Sequence, residues 1–206
     1  QRIVRDDPAR FKVLACGRRW GKTRLGSALC IEEAGRRGRA WWVAPSYKVA
    51  AVGWRLVRGL ALQVSGAVIR DGDMLATLPN GGTVQVRSAD NPDSLRGEGL
   101  DFVVVDECAY VAEEAWQEAL RPALSDRLGR AMFISTPAGR NWFWRHYQRG
   151  LQDGEWQSWR FPTADNPYIE PGEIEAARGD LPEMIFRQEY LAEFLESEGA
   201  VFRNIA

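Results

Sequence analysis

The sequence contains very little histidine, cysteine or lysine. Its 206 residues include one histidine, His146, three cysteines, and 27 lysines and arginines of which only three are lysines. A single histidine excludes zinc sites built from several histidines, and it leaves Ser-His-Asp catalysis effectively excluded. Cys16, Cys30 and Cys108 are scattered without the spacing of metal ligands. We therefore expect no disulfide framework and a reducing cytoplasm as the simplest compartment.

Long apolar runs and a strong net charge are also missing. No apolar stretch approaches the roughly 20 residues that span a bilayer, so we expect no membrane association. The net charge of −1 argues against a uniformly basic nucleic-acid-binding surface. Arginine suits phosphate recognition through bidentate contacts, although a GC-rich or heat-adapted genome explains the same bias. The polar start at Gln1 is unlike a secretory signal, and we expect a chain beginning with Gln to have been trimmed.

The composition and the hydrophobic periodicity indicate an α/β protein. A hydrophobic share of 45% over 206 residues suits one compact domain with a small appended subdomain. The pattern predicts strands at 11–15, 40–44, 101–106, 131–135 and 156–161, helices at 24–37, 47–64, 112–124, 173–178 and 183–195, antiparallel β structure within 67–88, and a loop at 88–99. We expect a parallel α/β core followed by a smaller helical C-terminal part.

A glycine-containing segment between a predicted strand and a predicted helix gives the strongest local signal. It reads Cys-Gly-Arg-Arg-Trp-Gly-Lys-Thr over residues 16–23. Backbone N–H groups of such a turn can surround a phosphate, and the helix start adds the positive end of its dipole. Gly21 permits close approach, Lys22 can reach the β- and γ-phosphates, and the Thr23 hydroxyl can ligate Mg²⁺. Cys16 stands where the strict pattern has glycine, and a chance Gly-Lys-Thr is the alternative, which the strand-helix context disfavours.

Two further segments fit this interpretation. Asp106 and Glu107 end an apolar strand, where Asp106 is suited to the Mg²⁺ shell and Glu107 to orienting and deprotonating water. Capping of the next loop is the alternative. P-loop ATPases with an added catalytic glutamate have an extra strand between the phosphate-loop strand and the Asp-Glu strand. Ser135 and Thr136 are candidates for its polar tip beside the γ-phosphate, unless they merely end a strand before Pro137.

Together these motifs resemble the N-terminal ATPase domain of phage terminase large subunits. The matching segments are GRRWGKT at 17–23, SLRGEG at 94–99, DFVVVDE at 101–107, STP at 135–137 and AEFLESEGAVF at 192–202. The resemblance covers nearly the whole chain, and the order and spacing of the motifs are more specific than any one of them. It implies a P-loop NTPase fold of the ASCE type, with a mostly parallel central sheet flanked by helices and a small C-terminal helical lid.

The resemblance also divides the chain and assigns partners. It implies a P-loop ATPase core over 1–150, and a lid and linker region over 151–206 that leads toward a metal-dependent nuclease domain. No acidic cluster for cutting DNA is found in these residues, so we expect ATP hydrolysis without cleavage. Family members move double-stranded DNA into a prohead in the host bacterial cytoplasm. They do so as a homo-oligomeric ring, usually a pentamer, docked on the portal protein, with a small terminase subunit selecting the DNA.

The resemblance assigns ATP and Mg²⁺ and gives several residues a role. Arg18 would touch the nucleotide in its own subunit, and Arg96 would be an arginine finger on a neighbour's γ-phosphate. A solvated loop arginine is the alternative for Arg96. Gln1 matches the family's adenine-recognising glutamine. The predicted site comprises catalytic Lys22, Arg96 and Glu107, nucleotide-binding Gln1, Gly17, Arg18, Arg19, Trp20, Gly21, Lys22, Thr23, Ser135 and Thr136, and magnesium-binding Thr23 and Asp106.

Other interpretations remain open from the residues themselves. A helicase-like or DNA-remodelling P-loop ATPase has a related fold, and a small-molecule kinase or a nucleotide-regulated binding module would also use the phosphate loop. Glu107 and the Ser-Thr-Pro segment favour water over a kinase's acceptor. Two arginine clusters, at 36–39 and at 140–149, could contact DNA phosphates. Solvated faces, with the neighbouring tryptophans in the core or at an interface, are the preferred explanation of both clusters.

Overall fold

Eight strands form one sheet in the computed structural model, which describes residues 1–196. They are β1 Phe11–Cys16, β2 Arg39–Ala44, β3 Val68–Arg70, β4 Leu75–Thr77, β5 Thr83–Ser88, β6 Phe102–Asp106, β7 Arg130–Ser135 and β8 Trp156–Phe161. Their order across the sheet is β3-β4-β5-β2-β6-β7-β1-β8. The six strands from β5 to β8 in this order are parallel, and β3 and β4 add an antiparallel edge.

Helices cover both faces of the sheet. They are α1 Arg2–Asp6, α2 Lys22–Gly35, α3 Tyr47–Ala61, α4 Arg121–Ala123, α5 Trp142–Arg149, α6 Pro171–Asp180 and α7 Glu183–Glu189. α2 and α3 pack on one face, while α5 and a π-helical segment, Ala115–Leu120, pack on the other. The central strands are buried on both sides, which explains why β6 is a continuous apolar run rather than an alternating one.

The position of α2 depends on a close approach to the sheet. The Trp42 ring of β2 lies against Gly26 of α2 and Gly53 of α3. A Cβ atom at Gly26 would lie 2.8 Å from the Trp42 ring, and one at Gly53 would lie 2.4 Å from its Nε1. Only glycine therefore lets both helices sit this close to the strand. The amino end of α2 follows directly from the segment at 16–21, so this packing also fixes that segment.

The predicted strands are confirmed, whereas several helices differ from their predicted bounds. The helix predicted at 24–37 is α2, the one predicted at 47–64 ends at Ala61, and the one predicted at 183–195 is α7, which ends at Glu189. The helix predicted at 112–124 is present over 113–123, although its centre, Ala115–Leu120, is π-helical rather than α-helical. Pro122 lacks an N–H and its ring would clash with a carbonyl one turn earlier, which a wider turn relieves.

The segment at 67–88 is also more complex than predicted. β3, β4 and β5 pair antiparallel as expected, but β5 also pairs in parallel with β2. β5 therefore joins the antiparallel edge to the parallel core. The two turns at 71–72 and 80–82 indicated only the local pairing, because the contact with β2 spans more than 40 positions of the chain.

The C-terminal helices form a small apolar cluster of their own. Ile174 and Ala177 of α6 pack with Phe186 of α7 in this cluster. The main sheet extends past residue 150, since β8 pairs with β1. The division of the chain into a core over 1–150 and a lid and linker region over 151–206 stays a prediction. The predicted family segment at 192–202 lies partly outside the described residues. Within residues 1–196 no helix has the length and apolar character required to cross a membrane.

Candidate functional site

Three strand ends meet at one edge of the sheet. β7 lies between β1 and β6, with Ala15 opposite Ser135 and Asp106 opposite Ile134. The predicted extra strand between the phosphate-loop strand and the Asp-Glu strand is therefore confirmed. Because all three strands run in parallel, their carboxyl ends place the three predicted motifs side by side. Open α/β sheets bind ligands at this edge.

The segment at 17–21 presents its backbone amides to this edge. Arg19 and Gly21 adopt left-handed backbone conformations, with φ values of 63° and 99°. Among residues 1–196, no protein acceptor contacts the amide groups of Gly21, Lys22 and Thr23. α2 begins at Lys22, so these are the amides that an α-helix leaves without a partner in its first turn. A loop of this shape at a helix start binds anions, phosphate above all.

Lys22 brings the three motifs together. Its side chain is buried, with 8% of the residue exposed. Its Nζ atom lies 3.4 Å from Oε1 of Glu107 and 3.5 Å from Oγ1 of Thr136. Oγ of Ser135 lies 3.5 Å from the other oxygen of Glu107. The structure thus places the predicted lysine, the predicted glutamate and both predicted hydroxyl residues within one contact network.

The two acids occupy different environments. Asp106 is only 3% exposed, and burial together with the negative charge of Glu107 raises the pKa of its carboxyl to about 7, which Lys22 partly opposes. Oδ1 of Asp106 accepts a hydrogen bond from the Glu107 amide at 3.0 Å. Glu107 has a left-handed backbone with φ of 45°, a conformation that costs a non-glycine residue about 1–3 kcal/mol. Such strain is typical of residues whose side chain must point in one direction for function.

The residues present fit a magnesium ion that is shared with a phosphate. The part of the chain that the structure describes contains no group of three or more acidic, histidine or cysteine side chains suited to a metal. Mg²⁺ needs no such group, because it commonly binds one or two carboxylates together with substrate phosphates and water. Asp106 supplies a buried carboxylate whose desolvation a cation would offset. Thr23, half-buried in the first turn of α2, supplies a hydroxyl.

A cavity of about 530 Å³ opens above this network. Its walls include four residues that the sequence did not indicate, Pro45, Val49, Tyr110 and Glu189. The remaining wall residues are Arg18, Arg19, Lys22, Glu107 and Thr136. Tyr110 follows the Asp-Glu pair by three positions, and a large exposed aromatic so close to the motif was a usable signal. Glu189 carried no sequence signal, because it is far from every motif in the chain.

A second cavity, of about 810 Å³, is lined in part by the segment at 17–21, which we call the phosphate loop. Its walls include Gln1, Trp20, Gly21 and Tyr168, and Nε2 of Gln1 lies 2.7 Å from where a Cβ atom of Gly21 would stand. The Lys12 ammonium donates hydrogen bonds of 2.6 and 3.2 Å to the last carbonyls of α1, which holds that helix and Gln1 beside the loop. The structure therefore brings Gln1 to the phosphate loop, whereas its adenine-recognising role stays a prediction.

Two of the predicted side chains make contacts away from Lys22 and Glu107. The Trp20 ring is buried and stacks on Phe161 at 4.4 Å between ring centroids, and Trp20 also lines the second cavity. Arg96 contacts Asp93 at 3.1 Å and Glu118 at 2.6 Å, and lies on neither cavity wall. It is 51% exposed. The nucleotide-binding role of Trp20 and the finger role of Arg96 stay predictions.

The arginine clusters pair with acidic side chains. Arg140, Arg145 and Arg149 form ion pairs with Glu196, Glu113 and Asp153, respectively. Arg36 contacts both Glu32 and Glu33. The positive charge of the cluster at 140–149 is therefore balanced locally, as the solvated-face interpretation expects. In the cluster at 36–39, Arg36 is the one arginine with an ion pair among residues 1–196, so that cluster is balanced only in part.

Comparison with known proteins points to one group. Residues 13–206 match the family described as terminase large subunit, T4likevirus-type, N-terminal. The terminase large subunit of Escherichia phage T5 is 36% identical over 205 residues, which cover 96% of this chain and 47% of that protein. The chain spans about half the length of the curated relatives it matches.

Solved structures give the same result for the fold. The large terminase ATPase domain of Thermus phage P74-26 superposes with a TM-score of 0.80 at 29% identity, covering 94% of this chain and 92% of that one. The large terminase of bacteriophage D6E in complex with ADP has a TM-score of 0.74 at 20% identity, covering 93% of this chain and 49% of that one. The predicted α/β fold, with its mostly parallel sheet, is confirmed.

The strained backbone at Glu107 generates a prediction about stability. Glycine tolerates a φ of 45° and alanine does not, so we expect the Glu107→Gly variant to be more stable than Glu107→Ala by about 1 kcal/mol in free energy of unfolding. Both variants lack the carboxylate, so their difference isolates the backbone term. Glu114 has helical φ and ψ of −59° and −35°, and there the order should reverse. Denaturant unfolding measures both pairs, and equal stabilities at position 107 would contradict the strain.

Proposed function

The chain belongs to the terminase large-subunit family, and from this membership we propose that it is the ATP-hydrolysing part of a viral DNA-packaging motor. One observation carries the proposal: the buried Lys22 ammonium contacts Glu107 and Thr136 at the start of α2. This arrangement combines a phosphate-binding turn with an acid suited to activate water. The P74-26 neighbour is named an ATPase domain, and the D6E neighbour binds ADP, which supports ATP as the substrate.

Binding of the triphosphate would begin at the loop. The amides of Gly21, Lys22 and Thr23 would donate hydrogen bonds to phosphate oxygens, and the positive end of α2 would favour their charge. The Lys22 ammonium would lie against the β- and γ-phosphates. A Mg²⁺ ion held by Asp106 and Thr23 would supply neutralisation of the charge that develops on the phosphates during transfer.

Hydrolysis would use Glu107 as the base. Its carboxylate lies between Lys22 and Ser135, which restrict its orientation on both sides. Glu107 would orient a water molecule toward the γ-phosphorus and accept its proton as the new P–O bond forms. The bond from the γ-phosphorus to the bridging oxygen would break, which leaves ADP and inorganic phosphate. Thr136, which contacts Lys22, would sense the γ-phosphate.

The second cavity, of about 810 Å³, is the proposed site of the adenine base of the nucleotide. It adjoins the phosphate loop at Gly21, so a nucleotide could extend from one cavity into the other. The Gln1 side chain carries both a donor and an acceptor, which suits the edge of adenine. The exposed ring of Tyr168 on the same cavity offers a surface for stacking.

Arg96 would act on a neighbouring copy of the chain. Its exposed guanidinium lies away from both cavities of its own chain, so it would reach a γ-phosphate only across an interface. We propose a homo-oligomeric ring, a pentamer in the full assembly, that acts on double-stranded DNA while docked on the portal in the host cytoplasm, with the small terminase subunit as a further partner. Family membership favours this function over a helicase-like or remodelling ATPase.

The catalytic role of Glu107 has a direct test. The Glu107→Gln variant should lose ATP hydrolysis by about 10²-fold or more, because an amide cannot accept the proton, while nucleotide binding survives. Turnover of ATP and binding of ATP-γ-S are measured separately, both in the presence of Mg²⁺. Glu155→Gln, which removes an acid paired with Arg10 at the opposite edge of the sheet, is the matched control and should keep full activity. Full activity of the Glu107→Gln variant would remove this residue from the mechanism.

The proposed role of Arg96 predicts a dosage effect. When Arg96→Ala chains are mixed with unmodified chains under conditions that form assemblies, ATPase activity should fall more steeply than the fraction of unmodified chains. The reason is that each altered chain would disable a neighbour's site. Arg127→Ala removes another exposed arginine, paired with Asp101, and should only dilute the activity in proportion. A proportional fall for Arg96→Ala would contradict a role across the interface.

A further inference from the structure

Arg18 of the phosphate loop is bonded twice to one residue of the C-terminal helical part. Its backbone amide donates to the carbonyl oxygen of Glu189 at 2.7 Å. Its Nε donates to Oε2 of the same residue at 2.5 Å. The two residues are 171 positions apart in the chain. Two bonds between one pair of distant residues hold both the backbone and the side chain of Arg18.

The carboxylate is the fixed member of this pair. The Glu189 side chain is 12% exposed, whereas that of Arg18 is 66% exposed. Glu189 ends α7, which is anchored by Phe186 in the small C-terminal cluster. A long arginine side chain at the surface otherwise samples many rotamers, and ordering it costs free energy. Glu189 therefore restricts a side chain that would move freely without it.

The bond leaves the phosphate-binding groups of Arg18 free. Only Nε contacts Glu189, and no acceptor among residues 1–196 contacts the terminal nitrogens of Arg18. Those terminal N–H groups form the planar fork that binds phosphate in a bidentate manner. Arg18 and Glu189 both line the 530 Å³ cavity with Lys22 and Glu107. The geometry thus orients the fork without occupying it.

Further bonds join the phosphate loop to the same C-terminal part. The Thr163 hydroxyl donates to the Arg18 carbonyl at 2.8 Å, and the Asn166 side-chain amide donates to the Arg19 carbonyl at 2.6 Å. The Thr163 amide donates to the Tyr190 carbonyl at 2.7 Å. A Cβ atom at Gly17 would lie 2.6 Å from that same carbonyl, so only glycine allows the contact. The loop is therefore held by chain segments that follow β8 and α7.

We propose that Glu189 is a positioning residue, which holds Arg18 toward the triphosphate and joins the C-terminal helices to the phosphate loop. This inference rests on the proposed function, because it assigns the triphosphate as the anion that Arg18 contacts. A carboxylate in a phosphate cavity would repel the substrate by itself. Its bond to Arg18 offsets that charge, so its presence there is explained by what it does to the arginine.

A double-mutant cycle tests the proposal. Affinity for ATP-γ-S and kcat/KM for ATP are measured for the unmodified chain, Arg18→Ala, Glu189→Ala and the double variant. Both single variants should lose about tenfold or more, as expected for a charge-assisted hydrogen bond. The double variant should be no worse than Arg18→Ala alone, because Glu189 acts only through Arg18. Multiplied losses in the double variant, or no loss in Glu189→Ala, would overturn the proposal.

Two conservative variants separate positioning from a general effect on stability. Glu189→Gln keeps an oxygen that accepts from Nε and should stay within about threefold of the unmodified chain. Glu189→Asp keeps the charge but shortens the reach, so it should lose affinity, and it replaces Glu189→Ala in the cycle if that variant does not fold. Glu193→Ala removes the acid paired with Arg187 in the same C-terminal segment and should leave affinity unchanged. An equal loss in Glu193→Ala would point to destabilisation and overturn the proposal.

Measurements of ATP hydrolysis test the proposed function, and measurements of ATP-γ-S binding test the role of Glu189 separately. If the unmodified chain hydrolyses ATP and Glu107→Gln does not, the proposed function stands whatever the cycle shows. If the unmodified chain binds ATP-γ-S but does not hydrolyse ATP, the proposed function fails while the binding cycle still tests Glu189. Amide hydrogen exchange gives a readout without nucleotide. Glu189→Ala removes the side-chain bond that holds Arg18 against the end of α7, so the remaining bond from the Arg18 amide to the backbone carbonyl at position 189 should open more often and exchange at Arg18 should rise.

Discussion

The contact of the buried Lys22 ammonium with Glu107 and Thr136 is the interaction on which the site depends. A buried cation is costly unless anionic or polar groups surround it. Here those groups follow two neighbouring parallel strands, β6 and β7, while the lysine follows β1, and the sheet order β6-β7-β1 brings them together. The close packing of α2 on Trp42 then fixes the lysine's own backbone. The position of Lys22 therefore depends on the fold, and the arrangement of the site around it depends on Lys22.

Some groups of the site belong to the core of the fold, and others are held by short helices at its margin. The buried acid Asp106, the strained backbone of Glu107 and the amides at the start of α2 belong to the sheet and its first helix. In contrast, Arg18 is held by the C-terminal helices, and Gln1 is held by α1. These helices are short and lie at the margin of the core. Movement of α1 or of the C-terminal helices would change the proposed nucleotide contacts of Arg18 and Gln1 while Lys22, Asp106 and Glu107 stayed in place. Such a division suits the proposed motor function, in which hydrolysis must be coupled to motion.

Much of this arrangement was predictable from the sequence. A strand-turn-helix pattern with Gly-Lys-Thr, an apolar strand ending in two acids, and a third strand ending in hydroxyls have one common physical basis: parallel strands bring their carboxyl ends to one edge. The resemblance added Gln1, whose position beside Gly21 the structure supports. Local pattern was not sufficient for Glu189, because only tertiary packing brings it to the phosphate loop. The pairing of β5 with β2 was missed for the same reason.

The most direct measurement is a crystal structure of the chain with Mg²⁺ and ATP-γ-S. We expect phosphate oxygens within about 2.7–3.2 Å of the amides of Gly21 and Lys22 and of the Lys22 ammonium. We also expect Mg²⁺ at about 2.1 Å from a carboxylate oxygen of Asp106 or from a water oxygen that bridges to it. Glu107 should face the γ-phosphorus across the same cavity. A nucleotide bound elsewhere, or bound at the loop with both acids turned away from it, would contradict the proposed site.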